Sequence, residues 1–216
     1  MTHRKPGPKP NSANTRQRIL DAARQLIAER GVEQLRLQDV ASAVGIRPPS
    51  VFGHFKGLED VTESVFRQVL ENLTEALDIH PSTNVAEDLR ITISRLTAFL
   101  ATDAANVRLL LQQLASNGRT LARFESGNEM VDSIDLRVEA LLNRGIASGQ
   151  FRRVRVHDFM AVVVGTLLAR LAWHNYVDWQ APDWPKQLAD IEDDVVEIAY
   201  GFLGVESVKM PVRASA

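Results

Sequence analysis

Six positions between residues 38 and 56 carry the chemistry most readily assigned from residue type and spacing: Gln38, Arg47, Ser50, Gly53, His54 and Lys56. All but Gly53 offer a side-chain hydrogen-bond donor. Interleaved with them, Val40, Ala41, Val44, Ile46, Val51 and Phe55 recur at helical spacing and can form one small shared core, which turns the polar set outward. Gly45 separates two short helices. The first is expected over 37–44, and the second opens at Pro48-Pro49, with Pro48 as the cap and Pro49 as the first helical residue, because a residue before proline avoids the helical region. A short helix, a glycine turn and a second short helix are the parts of a DNA-reading unit. The first braces on the backbone while the second presents side chains to the major groove. The chemistry on offer is recognition by hydrogen bonding, not bond making.

The other candidate groups point elsewhere. His3, His80, His157 and His174 are scattered and form no metal-ligand spacing. Asp193 and Asp194, with Glu192 and Glu197, could be paired carboxylates for acid/base work. The opposite face of their helix carries Leu188, Ile191, Val195, Ile198 and Phe202, so they read as a solvated face. There is no phosphate-cradling glycine loop and no Gly-x-Ser-x-Gly elbow. Nothing argues for catalysis or calls for a cofactor or metal.

The elements that must position the 38–56 set are helical throughout. Residues 1–12, with three prolines and a glycine, read as a basic flexible arm carrying Arg4, Lys5 and Lys9. A helix over 13–30 buries Ile19, Leu20, Ala23, Leu26 and Ile27 and ends at Gly31. Beyond the unit, helices are expected over 58–77, 84–102, 104–117, 127–148, 156–178 and 184–204, broken at Asn117-Gly118, Ser126-Gly127, Ser148-Gly149 and Ala181-Pro182. No period-two alternation competes, so the fold class is all-α. The expected organisation is an arm (1–12), a three-helix head (13–60) and a larger helical body (61–216).

Charge divides along the same line. Residues 1–56 hold 10 Lys/Arg against 4 Asp/Glu, and residues 57–216 hold 15 against 23. A basic head on an acidic body is the footprint of a protein whose head alone meets a polyanion. With 45 % apolar residues the chain can bury a substantial core, and the absence of cysteine excludes disulfides and thiolate metal sites. The most apolar stretch, Phe159 to Trp173, carries Arg170 and falls short of the roughly 18 residues that span a bilayer. The basic N-terminus lacks an apolar signal core, which makes the cytoplasm the expected compartment.

Thr15-Arg16-Gln17-Arg18-Ile19-Leu20-Asp21-Ala22-Ala23, then Leu26-Ile27, Gly31-Val32, Val40-Ala41, Val44-Gly45-Ile46 and Ser50-Val51-Phe52-Gly53-His54-Phe55 resemble the N-terminal signature of the TetR family of transcriptional regulators, in order and in spacing. The remaining residues match that family only in length and helical character. The resemblance implies a homodimeric regulator of double-stranded DNA, more often a repressor, with a small-molecule effector of unknown identity bound in the body. It places Gln38 where an amide contacts adenine or a phosphate, and Arg47 and Ser50 at the start of the recognition helix. Gly53 would let the backbone approach a thymine methyl. His54 and Lys56 would hold phosphates, and Thr15 and Arg16 could touch another. The chain departs from the pattern at three positions. Phe52 replaces a tyrosine whose hydroxyl commonly meets a phosphate, Leu58 replaces a lysine, and Arg36 replaces the Ser/Thr cap of the second helix. Those losses shift weight to the arm, where Arg4, Lys5 and Lys9 could follow the minor groove.

In the body, Met160, Val164, Leu168 and Leu171 lie on a helix apolar on all sides, and Gly165, Ala169 and Ala172 permit close approach. Together with Ile191, Val195, Ile198 and Phe202 of the last helix they are the expected dimer surface, an intermolecular four-helix bundle. Phe99, Arg108, Leu111, Gln112, Trp173, His174 and Tyr176 are the candidate effector lining, mostly apolar with a few polar groups. The rival class is an all-helical ligand-binding or enzymatic protein with a vestigial helix-turn-helix. Salt-dependent binding to DNA separates the two.

Overall fold

The computed structural model describes residues 12–116, 121–124, 127–173 and 183–205. Among them the secondary structure is helical, with no strand. The α-helices are α1 (Ser12–Arg30), α2 (Leu37–Val44), α3 (Pro48–Val51), α4 (Leu58–Ala76), α5 (Val85–Ala101), α6 (Ala104–Ala115), α7 (Gly127–Ala147), α8 (Val156–Trp173) and α9 (Trp184–Leu203). Two 3-10 turns, Val32–Gln34 and Leu121–Arg123, were not evident from periodicity.

The helix boundaries follow from local chemistry. Gly45 stops α2 in the left-handed conformation at φ 74°, where its N–H reaches the carbonyls of Ala41 and Ser42. Arg36 caps the start of α2 without a side-chain hydrogen bond, as its replacement of Ser/Thr implies. In α3 the expected cap is displaced by one residue. Arg47, extended at φ −76° and ψ 142°, is the cap, and Pro48 is already helical. Pro48 imposes the extended form on Arg47 while fitting the first helical position itself, where a missing N–H costs nothing. Asn84 and Asp103 cap α5 and α6 through the Glu87 and Ala105 amides.

The head and the body share one continuous core. In the head, Ile19, Ala23, Ile27, Val40, Ala41 and Val51 are fully buried, with Phe55 at 3 %. Helix α1 packs on α2, α4 and α6. The expected division after residue 60 falls within the first turn of α4, which runs unbroken from the head into the body. There α5 packs against α4, α6, α7, α8 and α9.

Helix α8 is longer than the apolar run suggested. Val156, His157 and Asp158 add its first turn, so its 18 residues would suffice by length and composition to cross a membrane. Phe159, Val163, Leu167, Leu168 and Leu171 face the protein's own core, so one side of α8 is a core element.

A charge also lies inside the body. Asp88 is 1 % exposed and accepts from the Ser82 amide at 2.9 Å, the Ser82 hydroxyl at 2.7 Å and the Arg144 guanidinium. Burial pushes its carboxyl up, and the Ser82 amide, Arg144 and the Ser82 hydroxyl outweigh that, holding it below the usual carboxylate range.

Candidate nucleic-acid interface

Two short helices packed on each other, α2 and α3, present the candidate site. Val40, Ala41 and Val44 of α2, which packs on both α1 and α3, and Val51 of α3 are buried in one core, while Ile46 is half-buried. Arg18 of α1 donates to the Val44 carbonyl at 2.7 Å, tying the end of α2 to α1 at the glycine turn. Residue type carries no signal for that contact, because an arginine on an exposed helical face is indistinguishable from a solvated one. At the far side, the Lys56 amide donates to Asp60 at 2.8 Å, which fixes the chain as it enters α4.

With the frame fixed, Gln38, Arg47, Ser50, Gly53 and Lys56 are exposed and His54 is half-buried. Arg36, Arg47 and Lys56 have no acidic side chain within ion-pairing distance among the described residues. Their charges are therefore left for a polyanion. A Cβ added at Gly53 would meet only the Ser50 carbonyl, at 3.4 Å, so the fold itself does not demand glycine there. Phe52 is 61 % exposed.

The N-terminal candidates divide. Thr15 is half-buried at the start of α1. The Arg16 guanidinium lies 4.6 Å from the centre of the Phe55 ring and donates to the Ser64 hydroxyl at 3.4 Å, so it is already engaged within the protein. Arg4, Lys5 and Lys9 lie outside the described residues.

The candidate effector residues differ in their surroundings. Gln112 donates to the Ile27 and Ala28 carbonyls of α1, at 3.0 and 3.4 Å. Phe99 and Leu111 are half-buried against the core, Arg108 is exposed, and Trp173 is 80 % exposed at the end of α8. His174 and Tyr176 lie outside the described residues. Two features were missed. Thr97 is fully buried on α5, and its hydroxyl has no hydrogen-bond partner among the described residues. An open cleft of about 420 Å³ is lined by Arg152, Arg153, Val154, Arg155, Asp158 and Phe202. The Arg-Arg-Val-Arg run was its available sequence signal.

The expected dimer set divides by its burial within one protomer. Leu168, Leu171, Ile191 and Val195 are at most 3 % exposed within one protomer, where they join α8 and α9 to the body. They point inward because α8 and α9 pack on each other and on α5, which buries one apolar face of each helix. Met160, Val164, Ile198 and Phe202 stay half-buried, and Ala161, Ala169 and Trp173 are exposed. The carboxylates of α9 behave as a surface: Asp193, Asp194 and Glu197 are exposed, and Asp194 pairs with Arg170. No group of metal-ligating side chains occurs among the described residues.

Residues 19–65, from within α1 to within α4, match the model of the bacterial regulatory proteins, tetR family. The chain is 25 % identical to the fatty acid metabolism regulator protein of Bacillus subtilis, across 83 % of this chain and 91 % of that protein. It is 23 % identical to the HTH-type transcriptional repressor KstR2 of Mycolicibacterium smegmatis, across 88 % and 90 %. Its fold superposes on that of the transcriptional regulator FadR from Bacillus subtilis, solved in complex with stearoyl-CoA, with a TM-score of 0.61 at 23 % identity, covering 87 % of this chain and 98 % of that one.

Proposed function

This chain belongs to the tetR family of bacterial regulatory proteins, and on that premise we propose that it acts as a homodimeric, ligand-responsive repressor in the cytoplasm. The head binds a palindromic operator, with Arg47, Ser50 and Gln38 at base edges and His54, Lys56 and Thr15 at the backbone. The basic arm, with Arg4, Lys5 and Lys9, follows the adjoining minor groove. The observation that carries this reading is the exposed set of Arg36, Arg47 and Lys56, flanking two short helices that share one core and without an acidic partner among the described residues.

Two half-sites require a two-fold protein. The part-exposed face of α8 and α9, with Met160, Val164, Ile198 and Phe202 around the small residues Gly165 and Ala169, supports dimerisation there. The effector binds in the body and lowers operator affinity through coupling between the two sites. An acyl thioester of coenzyme A is the effector class to test first, because the Bacillus subtilis relatives are a fatty acid metabolism regulator and a FadR solved with stearoyl-CoA.

The deciding experiment is selection of bound fragments from the organism's own DNA, followed by titration of the recovered site at several salt concentrations. Palindromic fragments whose affinity falls steeply with salt are the expected result. A folded dimer with no preferred sequence at low salt would refute the reading. Release of the bound fragment by stearoyl-CoA tests the effector class separately.

A further inference from the structure

Phe52 is a large apolar side chain on the surface that would meet DNA, and no contact among the described residues accounts for it. It is 61 % exposed and makes no ring or cation contact among the described residues. It directly follows α3, three positions after the exposed Pro49, so the two side chains lie on one face and form a small apolar strip. Arg47 at one end and Lys56 at the other place cationic groups around that strip. An exposed phenylalanine gains nothing from water, and a phosphate would be desolvated by the ring without receiving a hydrogen bond.

Between the two cations, the surface that can cover an apolar ring without burying a charge is the floor of the major groove, whose apolar group is the thymine C5-methyl. Gly53, the next residue, has no side chain to hold the backbone away from that floor, and the fold leaves room for one. We propose that Phe52 is a specificity-determining residue that packs its ring on a thymine methyl in each operator half-site. Its lack of a hydroxyl is then a change of what is read, not simply a lost phosphate contact. The inference rests on the operator-binding reading above.

The test uses the full-length protein and the DNA site it selects. Each thymine in a half-site is replaced in turn by uracil, which removes only the C5-methyl. One position per half-site should weaken binding by about fourfold, the worth of one buried methyl-sized group, and by about fifteenfold when both half-sites are changed. Phe52→Ala should bind the unmodified site more weakly and be indifferent to uracil at that position. The uracil series on the unaltered protein needs no variant to fold. If uracil is neutral at every position while operator binding is intact, the inference is overturned and operator binding stands. If the protein selects no DNA site, the operator reading fails first, and the inference with it.

Discussion

The side-chain amide of Gln112, on α6, donates to the carbonyl oxygen of Ile27, in the last turn of α1, at 3.0 Å. The last four carbonyls of a helix have no partner within it, so a donor from another element fixes where the helix ends. A few residues away, Arg24 of α1 pairs with Asp103 at 2.8 Å, and the Gln25 amide donates to the same carboxylate, which also caps α6. The first helix of the head and the sixth helix of the body are therefore joined at both ends of one contact. Gln112→Leu should cost about 1 kcal/mol, the net worth of a typical hydrogen bond. It should also speed hydrogen exchange at the Gly31 amide, which bonds to the same Ile27 carbonyl at 2.8 Å. Unchanged exchange there, measured alongside the melting curve, would mean that the joint does not depend on Gln112.

Asp88 makes the body sensitive to acid. Its carboxyl titrates lower in the folded protein than in the unfolded chain, whose ordinary value is near 4. The stabilisation is therefore fully present above that ordinary value and is lost as pH falls through the folded-state value. Asp88→Asn should be less stable at neutral pH and should show a shallower loss of stability below about pH 4. Arg144→Met, which leaves the carboxylate buried without its cation, should cost about 2 kcal/mol at neutral pH, less than a fully buried pair because Arg144 is partly exposed. Melting curves between pH 3 and 7 decide it. Parallel profiles for Asp88→Asn and the unaltered protein would contradict the account.

Periodicity placed the helices because burial obeys it. Ile19, Ala23 and Ile27 recur every four residues and are all fully buried. Turn chemistry placed the breaks, since Gly31 and Gly45 adopt the positive φ that other residues avoid. Long-range contacts left no such trace. Arg16 on Phe55, Arg18 on the Val44 carbonyl and Gln112 on Ile27 join residues whose helices meet only after folding, and their polar types suit solvent equally well. The same gap applies to α8. Its composition marks Leu168 and Leu171 as apolar without saying whether they face the protomer's own core or a partner.

Thr97 departs from four other helical threonines. The hydroxyls of Thr62, Thr74, Thr92 and Thr166 each donate to the carbonyl four residues earlier, whereas that of Thr97 has no partner among the described residues. A buried hydroxyl without a hydrogen bond is destabilising. Thr97→Val keeps the shape and removes the polar atom, so it should raise stability by about 1 kcal/mol. A fall in stability of that size would mean that the hydroxyl has a partner in solution. If the effector uses this hydroxyl, the same variant should also need more effector to release the operator, which a fluorescence-anisotropy titration reads directly.

Arg16 and Lys56 are both cations of the head, yet they should behave differently on DNA. Arg16 already rests on Phe55, at 4.6 Å, and on the Ser64 hydroxyl, so its removal takes a contact from the protein. Arg16→Ala should lower stability by about 0.5–1 kcal/mol and leave the dependence of operator affinity on salt nearly unchanged. Lys56 is exposed and without an acidic partner among the described residues. Lys56→Ala should leave the melting temperature in place, weaken binding to all sequences alike, and reduce the slope of log affinity against log salt by about 1. Arg47→Ala should separate from both by relaxing the preference for one base position. Equal slope changes for Arg16→Ala and Lys56→Ala would mean that Arg16 leaves Phe55 when DNA binds, and the head would then engage its operator by rearranging rather than as a rigid frame.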